Sequence, residues 1–238
     1  MAQARPSRRP RPRAERTILA HYPALEPAFA AATAVRRSQL LPTAITLLDA
    51  GAAAAAGAGG GEWALVLRCE APPVAVVHQA SRISDAISTQ VIDLDVLDES
   101  GTECVWAGIN RVLVAEPVER EIRVRIGSAP SDIPTVLAGI HGVAREHGLH
   151  MSRTVDCGSG LIYATLAAEG DGLEPLRRAW AALAGFGQHA ALLATPEALK
   201  QETDVFGREP AGLDVMCSLK KQFDPSRVLN RGRFVGGI

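Results

Sequence analysis

The chain has 238 residues, 47% hydrophobic and 21% charged, with a formal net charge of -1 and a pI near 6.6. This is the composition of a globular protein with a substantial core, and its near-neutral balance excludes a general attraction for nucleic acid or acidic lipid. The four cysteines, Cys69, Cys104, Cys157 and Cys217, are too scattered for a CxxC metal site or a disulfide framework, and no apolar run is long and unbroken enough to span a bilayer, so reduced thiols and a cytoplasmic setting are expected.

Residues 1–22 read as a disordered basic tail. Arg5, Arg8, Arg9, Arg11, Arg13 and Arg16 alternate with Pro6, Pro10 and Pro12, a mixture that cannot bury apolar surface. Arg8-Arg9 superficially suggests twin-arginine export, but His21, Tyr22, Pro23, Glu26 and Pro27 interrupt the segment where an apolar signal region would lie. Residues 23–238 are then the folded domain.

Between 42 and 111 the pattern predicts strands at 44–48 and 63–69, a helix carrying Val77, Ala80, Ile83 and Ile87, and another near Trp106. The alanine and glycine run at 52–61 reads as a flexible hairpin loop. No Gly-Lys-Ser/Thr follows it, so it is not a phosphate cradle.

The clearest periodicity lies between 120 and 195. Ile122, Val124 and Ile126 alternate with Glu121, Arg123 and Arg125 as in a half-buried strand, and Ile133, Val136, Leu137, Ile140 and Val143 recur at helical spacing before Gly148. Two strands flank a turn at 157–160, a helix follows with Leu173, Leu176, Trp180 and Leu183 on one face, and 190–194 closes as a strand. Strand, helix, strand, strand, helix, strand is the ferredoxin-like split βαβ order. The predicted class is α+β, an antiparallel sheet with helices packed on one face.

Arg123 and Arg125 share the polar face of their strand, where they either grip a substrate carboxylate or form a solvated face. His147 and His150 have H-x-x-H spacing, but Gly148 breaks the helix between them, so a helix-end charge and a loop residue are favoured over a metal pair. No metal site is predicted. No Ser-His-Asp or Cys-His arrangement emerges, and the catalytic residues are not legible.

The last stretch is the most specific. Leu213, Met216, Leu219 and Phe223 form a helical stripe that reads as core, Lys220 and Lys221 occupy the last turn, and Asp224-Pro225 stops the helix near Phe223. Asn230 and Gly232 then form a turn flanked by Arg231 and Arg233.

This ending, Phe223-Asp224-Pro225 followed by Leu229-Asn230-Arg231-Gly232-Arg233, resembles the end of the C-terminal cap domain of FAD-linked oxidases of the vanillyl-alcohol oxidase superfamily. Within that superfamily it is most similar to the FAD-binding subunit of bacterial glycolate oxidase. Leu199-Lys200, Asp204-Val205-Phe206-Gly207 and Leu213-Asp214-Val215-Met216 are similar to the family's approach to the tail, and Asp156-Cys157-Gly158-Ser159-Gly160 falls where it has a glycine-rich turn. Arg231 replaces the family's proline, which removes a restraint on Asn230, and the glycine-rich turn lacks the histidines of metal-binding relatives.

The resemblance implies that residues 199–238 are a flavin-facing tail, with Asn230, Arg231, Gly232 and Arg233 as cofactor contacts; Arg123 and Arg125 stay the candidate substrate contacts that their strand pattern alone suggests. It implies FAD, a 2-hydroxy acid such as glycolate giving up a hydride to the flavin, and partner subunits that include an iron-sulfur one. The family's N-terminal FAD domain has no counterpart here, so the chain is expected to be truncated relative to the family and inactive without that domain. The alternative is a non-enzymatic α/β binding or assembly module, since architecture alone does not dictate activity.

Overall fold

The computed structural model describes residues 13–114, 120–170 and 172–238. Contacts divide the chain into two units, one through Asn110 and one from Arg111.

The reading of 1–22 as a tail does not hold over 14–22. Residues 1–12 lie outside the described set, but Ala14–Tyr22 is a strand, β1, with six consecutive buried residues at its end. Its arginine-rich start conceals the apolar run Ile18, Leu19, Ala20, which pairs antiparallel with β3 (Trp63–Ala71) on one side and β4 (Asp93–Leu97) on the other. With β2 (Ala44–Asp49) beside β3, the order in this unit is β4-β1-β3-β2.

Successive side chains of a strand point to opposite faces, and β1 shows both. Tyr22 Oη donates to Ile87 O at 2.7 Å, on the side of α1 (Leu25–Arg37) and α3 (Pro73–Ile87). On the other side, Thr17 Oγ1 accepts from Trp106 Nε1 at 2.9 Å, and His21 Nε2 donates to Ala58 O at 3.0 Å. Trp106 belongs to α4 (Glu99–Val114), and Ala58 follows α2 (Ala50–Ala56). Helices therefore cover the expected face, and in this unit the second face is covered as well.

Helix α2 corrects the reading of 52–61 as a flexible loop. Alanine is the best helix former, Asp49 caps the start by accepting from Ala52 N at 2.9 Å, and Gly57 at φ 75° ends it. Small side chains let it lie flush against α4: a Cβ on Gly108 would meet Ala56 O at 2.0 Å.

The second unit follows the predicted order: β5 (Glu121–Gly127), α5 (Ile133–Glu146), β6 (Leu149–Asp156), β7 (Leu161–Ala168), α6 (Glu174–Leu183) and β8 (His189–Ala194). The strands are antiparallel in the order β6-β7-β5-β8, the arrangement of the first unit again. Ile122, Val124 and Ile126 are fully buried, as are Leu137 and Ile140 of α5 and Leu176 and Leu183 of α6. Where the first unit inserts α2, the second has only a tight turn. Asp156 accepts from Gly158 N at 2.9 Å and Ser159 Oγ at 2.5 Å, and Gly160 at φ 75° sits where a Cβ would meet Ser128 O at 2.1 Å.

After β8 comes α7 (Glu197–Glu202), then a short run that pairs with β8 through Leu192 N to Val205 O at 2.7 Å and Gly207 N to Ala190 O at 2.9 Å. Trp180 Nε1 fixes it from α6 by donating to Asp204 O at 3.0 Å. This edge leads into α8 (Leu213–Phe223).

Candidate functional site

Helix α8 ends where the sequence predicts, with Lys220 and Lys221 in its last turn. Its stripe is not core, however. No residue of α8 is buried, and Leu219 and Phe223 are 49% and 77% exposed. Helical spacing gathers apolar residues on a face but does not supply a surface to cover it. Val228 and Leu229, just beyond, are exposed as well.

Asp224 organises the loop beyond the helix. Its carboxylate accepts from Val228 N and Leu229 N, both at 3.0 Å, and lies 2.7 Å from Lys220 Nζ. The Lys220 ammonium, aided by those two amides, holds the carboxyl down to about 2. Lys220 also donates to Leu229 O at 2.6 Å, so it clamps the loop as well as meeting the helix end. Sequence reasoning placed Asp224 only as part of a helix stop. The signal that would have revealed more is the i, i+4 lysine-aspartate spacing before a proline.

On this clamp stands the predicted turn. Arg233 N donates to Asn230 O at 3.1 Å, Asn230 has φ 46° and Gly232 φ 71°. Asn230, Arg231, Gly232 and Arg233 are all exposed, and a Cβ at Gly232 would find nothing within 4 Å. Hydrogen bonding thus shapes the turn. Arg231 and Gly232 line a cavity of about 230 Å³ together with Cys217, Lys220, Arg227, Gly236, Gly237 and Ile238; Asn230 and Arg233 stand outside it. Cys217 and Arg227 were not singled out from the sequence, because only the fold of the tail brings them to Arg231.

The two sheet arginines have different surroundings. Arg123 is 7% exposed, and it donates through Nη1 to Leu113 O at 3.2 Å and through Nε to Thr165 Oγ1 at 3.4 Å. Arg125 sits between Tyr163 of β7 and Ala191 of β8, with its buried Nε unpartnered among the described residues. Neither lines the tail cavity. Of the histidine pair, His147 caps α5 through its backbone, and His150 meets Glu169 at 2.5 Å on an exposed surface. Among the described residues no three His, Cys, Asp or Glu side chains gather as a metal ion would require, and no helix is long and apolar enough to cross a membrane.

Comparison with protein families matches residues 11–179, well over half of the chain, to the C-terminal domain of FAD-linked oxidases. The tail lies beyond the matched stretch. Comparison with curated proteins finds no match. Among solved structures, p-cresol methylhydroxylase with substrate bound superposes with a TM-score of 0.65 at 11% identity, covering 94% of this chain and 53% of that one. The isoeugenol complex of 4-ethylphenol oxidase from Gulosibacter chungangensis gives 0.61 at 13% identity, covering 94% and 54%. Alkyldihydroxyacetonephosphate synthase gives 0.53 at 12%, covering 90% and 43%. At such identities the likeness shows the fold alone, and the chain spans about half the length of these structures. The family match and the shared fold agree: the chain belongs to the FAD-linked oxidase C-terminal domain family.

Proposed function

We propose that this chain is the substrate-side cap of an FAD-dependent 2-hydroxy-acid oxidoreductase with a glycolate-like substrate, working with an FAD-binding domain that lies outside residues 1–238. The observation that carries this reading is the exposed turn at 230–233, clamped by Lys220 and Asp224 and bordered by bare Phe223, Val228 and Leu229. Large apolar side chains left this exposed gain by being covered by another surface.

The residues fit a flavin edge. Gly232 leaves its backbone uncovered, so a planar ring can approach, while Asn230, Arg231 and Arg233 offer polar groups around it. When FAD is bound it supplies the redox chemistry, accepting a hydride equivalent from the substrate's α-carbon. Arg125 is the better placed of the sheet arginines to receive the substrate carboxylate, because Arg123 is already committed to Leu113 O and Thr165. Docked apolar side chains would exclude water from the site. The proposal extends to an iron-sulfur subunit as onward electron acceptor and to a cytoplasmic setting.

The experiment is a titration of the purified chain with FAD, alone and with a co-expressed FAD-binding domain, followed by glycolate. Flavin retention in the pair, with bleaching of its visible absorbance by glycolate, is expected. Failure of both forms to retain flavin would overturn the oxidoreductase reading in favour of a non-enzymatic α/β binding or assembly module.

A further inference from the structure

The residues that line the cavity of about 230 Å³ at the tail include three of cationic type, Lys220, Arg227 and Arg231, and no aspartate or glutamate. Lys220 is engaged by Asp224 and Leu229 O. The side chains of Arg227 and Arg231 have no hydrogen bond or ion pair among the described residues. Two uncommitted guanidinium groups at one concavity present paired donor forks, and walls of low polarisability focus their field on the space between them.

The backbone contributes too. Gly232, Gly236 and Gly237 have φ of 71°, 67° and 69° and line the cavity, so the wall beside the arginines carries no side chain at these positions, although the Gly237 amide is taken by Phe234 O at 3.1 Å. The volume falls below the roughly 300–1,000 Å³ of pockets that enclose drug-sized ligands, which suits a small anion or the charged end of a larger one.

We infer that this cavity is a binding site for a small oxyanion, a phosphate or carboxylate group held between Arg227 and Arg231. The site is distinct from Arg125 on the sheet; it shares Arg231 and Gly232 with the turn proposed to meet the flavin, and its existence does not require the flavin reading. Phosphate preference identifies the charged end of a phosphorylated ligand as the occupant; carboxylate preference identifies a small organic acid.

The test uses the full chain without flavin, at ionic strength held constant with chloride. Inorganic phosphate, pyrophosphate and glycolate are titrated separately by calorimetry. Saturable binding of one or more is expected, weakened about tenfold or more in Arg227→Gln and in Arg231→Gln, the scale of one lost charge-assisted hydrogen bond. Lys221→Gln removes a neighbouring cation that does not line the cavity, and should change affinity by less than about twofold. A second readout is alkylation by iodoacetate, mapped by peptide: the bound anion should slow modification of Cys217, which lines the cavity, while exposed Cys104 reacts as before. No saturable binding by any probe overturns the inference. So does binding that survives both arginine substitutions, falls equally in Lys221→Gln, or leaves Cys217 unprotected. Flavin binding is measured in neither arm, so failure here leaves the proposed function to its own test.

Discussion

Lys220 and Asp224 form an i, i+4 ion pair of 2.7 Å across the end of α8, and the same ammonium donates to Leu229 O at 2.6 Å. One lysine thus joins the helix terminus, the helix stop and the loop that precedes the candidate turn. Rigidity at 230–233 is borrowed from this pair, because the turn itself contributes no buried side chain.

Asp224→Ala should free the loop without unfolding the domain, since nothing in α8 is buried. Amide hydrogen exchange at Val228 and Leu229 is expected to accelerate about tenfold or more, with little change in the thermal midpoint. The wild type should show the same loosening in acid. Asp224's folded value, about 2, lies below the ordinary 3.8, so its contribution is present above about pH 4 and is lost as pH falls toward 2.

Arg123 and Arg125 should separate into a structural and a binding role. Arg123→Gln breaks donation from a buried side chain to Leu113 O and is expected to lower stability by about 1–3 kcal/mol in urea unfolding. Arg125→Gln should leave stability within about 0.5 kcal/mol but weaken glycolate binding in the reconstituted complex about tenfold. Equal loss of stability in both variants would contradict the assignment.

Two glycine-to-alanine changes should move stability in opposite directions. Gly108→Ala forces a methyl against Ala56 O and is expected to cost about 1–3 kcal/mol. Gly142→Ala, inside α5 with nothing within 4 Å of the new atom, should stabilise by about 0.5–1 kcal/mol. Thermal unfolding of the two variants side by side checks both.

Burial pushes the Tyr22 hydroxyl up to about 12, above the ordinary 10. The folded state therefore resists ionising a group that the unfolded chain ionises readily. That stabilisation is complete below about pH 10 and disappears as pH climbs toward 12. Tyr22→Phe should lose this portion of the alkaline dependence, measured as unfolding midpoint against pH, while also losing the bond to Ile87 O.

The second unit was legible because its signals agree at every level. Ile122, Val124 and Ile126 alternate against charge, α5 and α6 carry single apolar stripes, and the turn residues fall between them. The first unit was less readable for particular reasons. β1 begins amid arginines, β4 alternates Asp93 and Asp95 with half-exposed leucines on a sheet edge, and α2 is nearly all alanine, so it offers no contrast between faces. At the site, the position of the turn and the helix end could be read locally. The cavity could not, because Cys217 and Arg231 are fourteen positions apart and meet only once Asp224 reverses the chain.

Both units use the same strand order, yet only the first inserts a helix between its second and third strands; the second makes do with the turn closed by Asp156. An alanine-built plug there sets small apolar side chains against the strands of one copy of a repeated fold. Shortening that connection to four residues leaves the other copy's polar strand face, with Arg125 and Tyr163, free to diversify. Among relatives of this chain, changes in ligand preference should therefore collect on the plug-free repeat, and changes in the plugged one should register mainly as differences in durability.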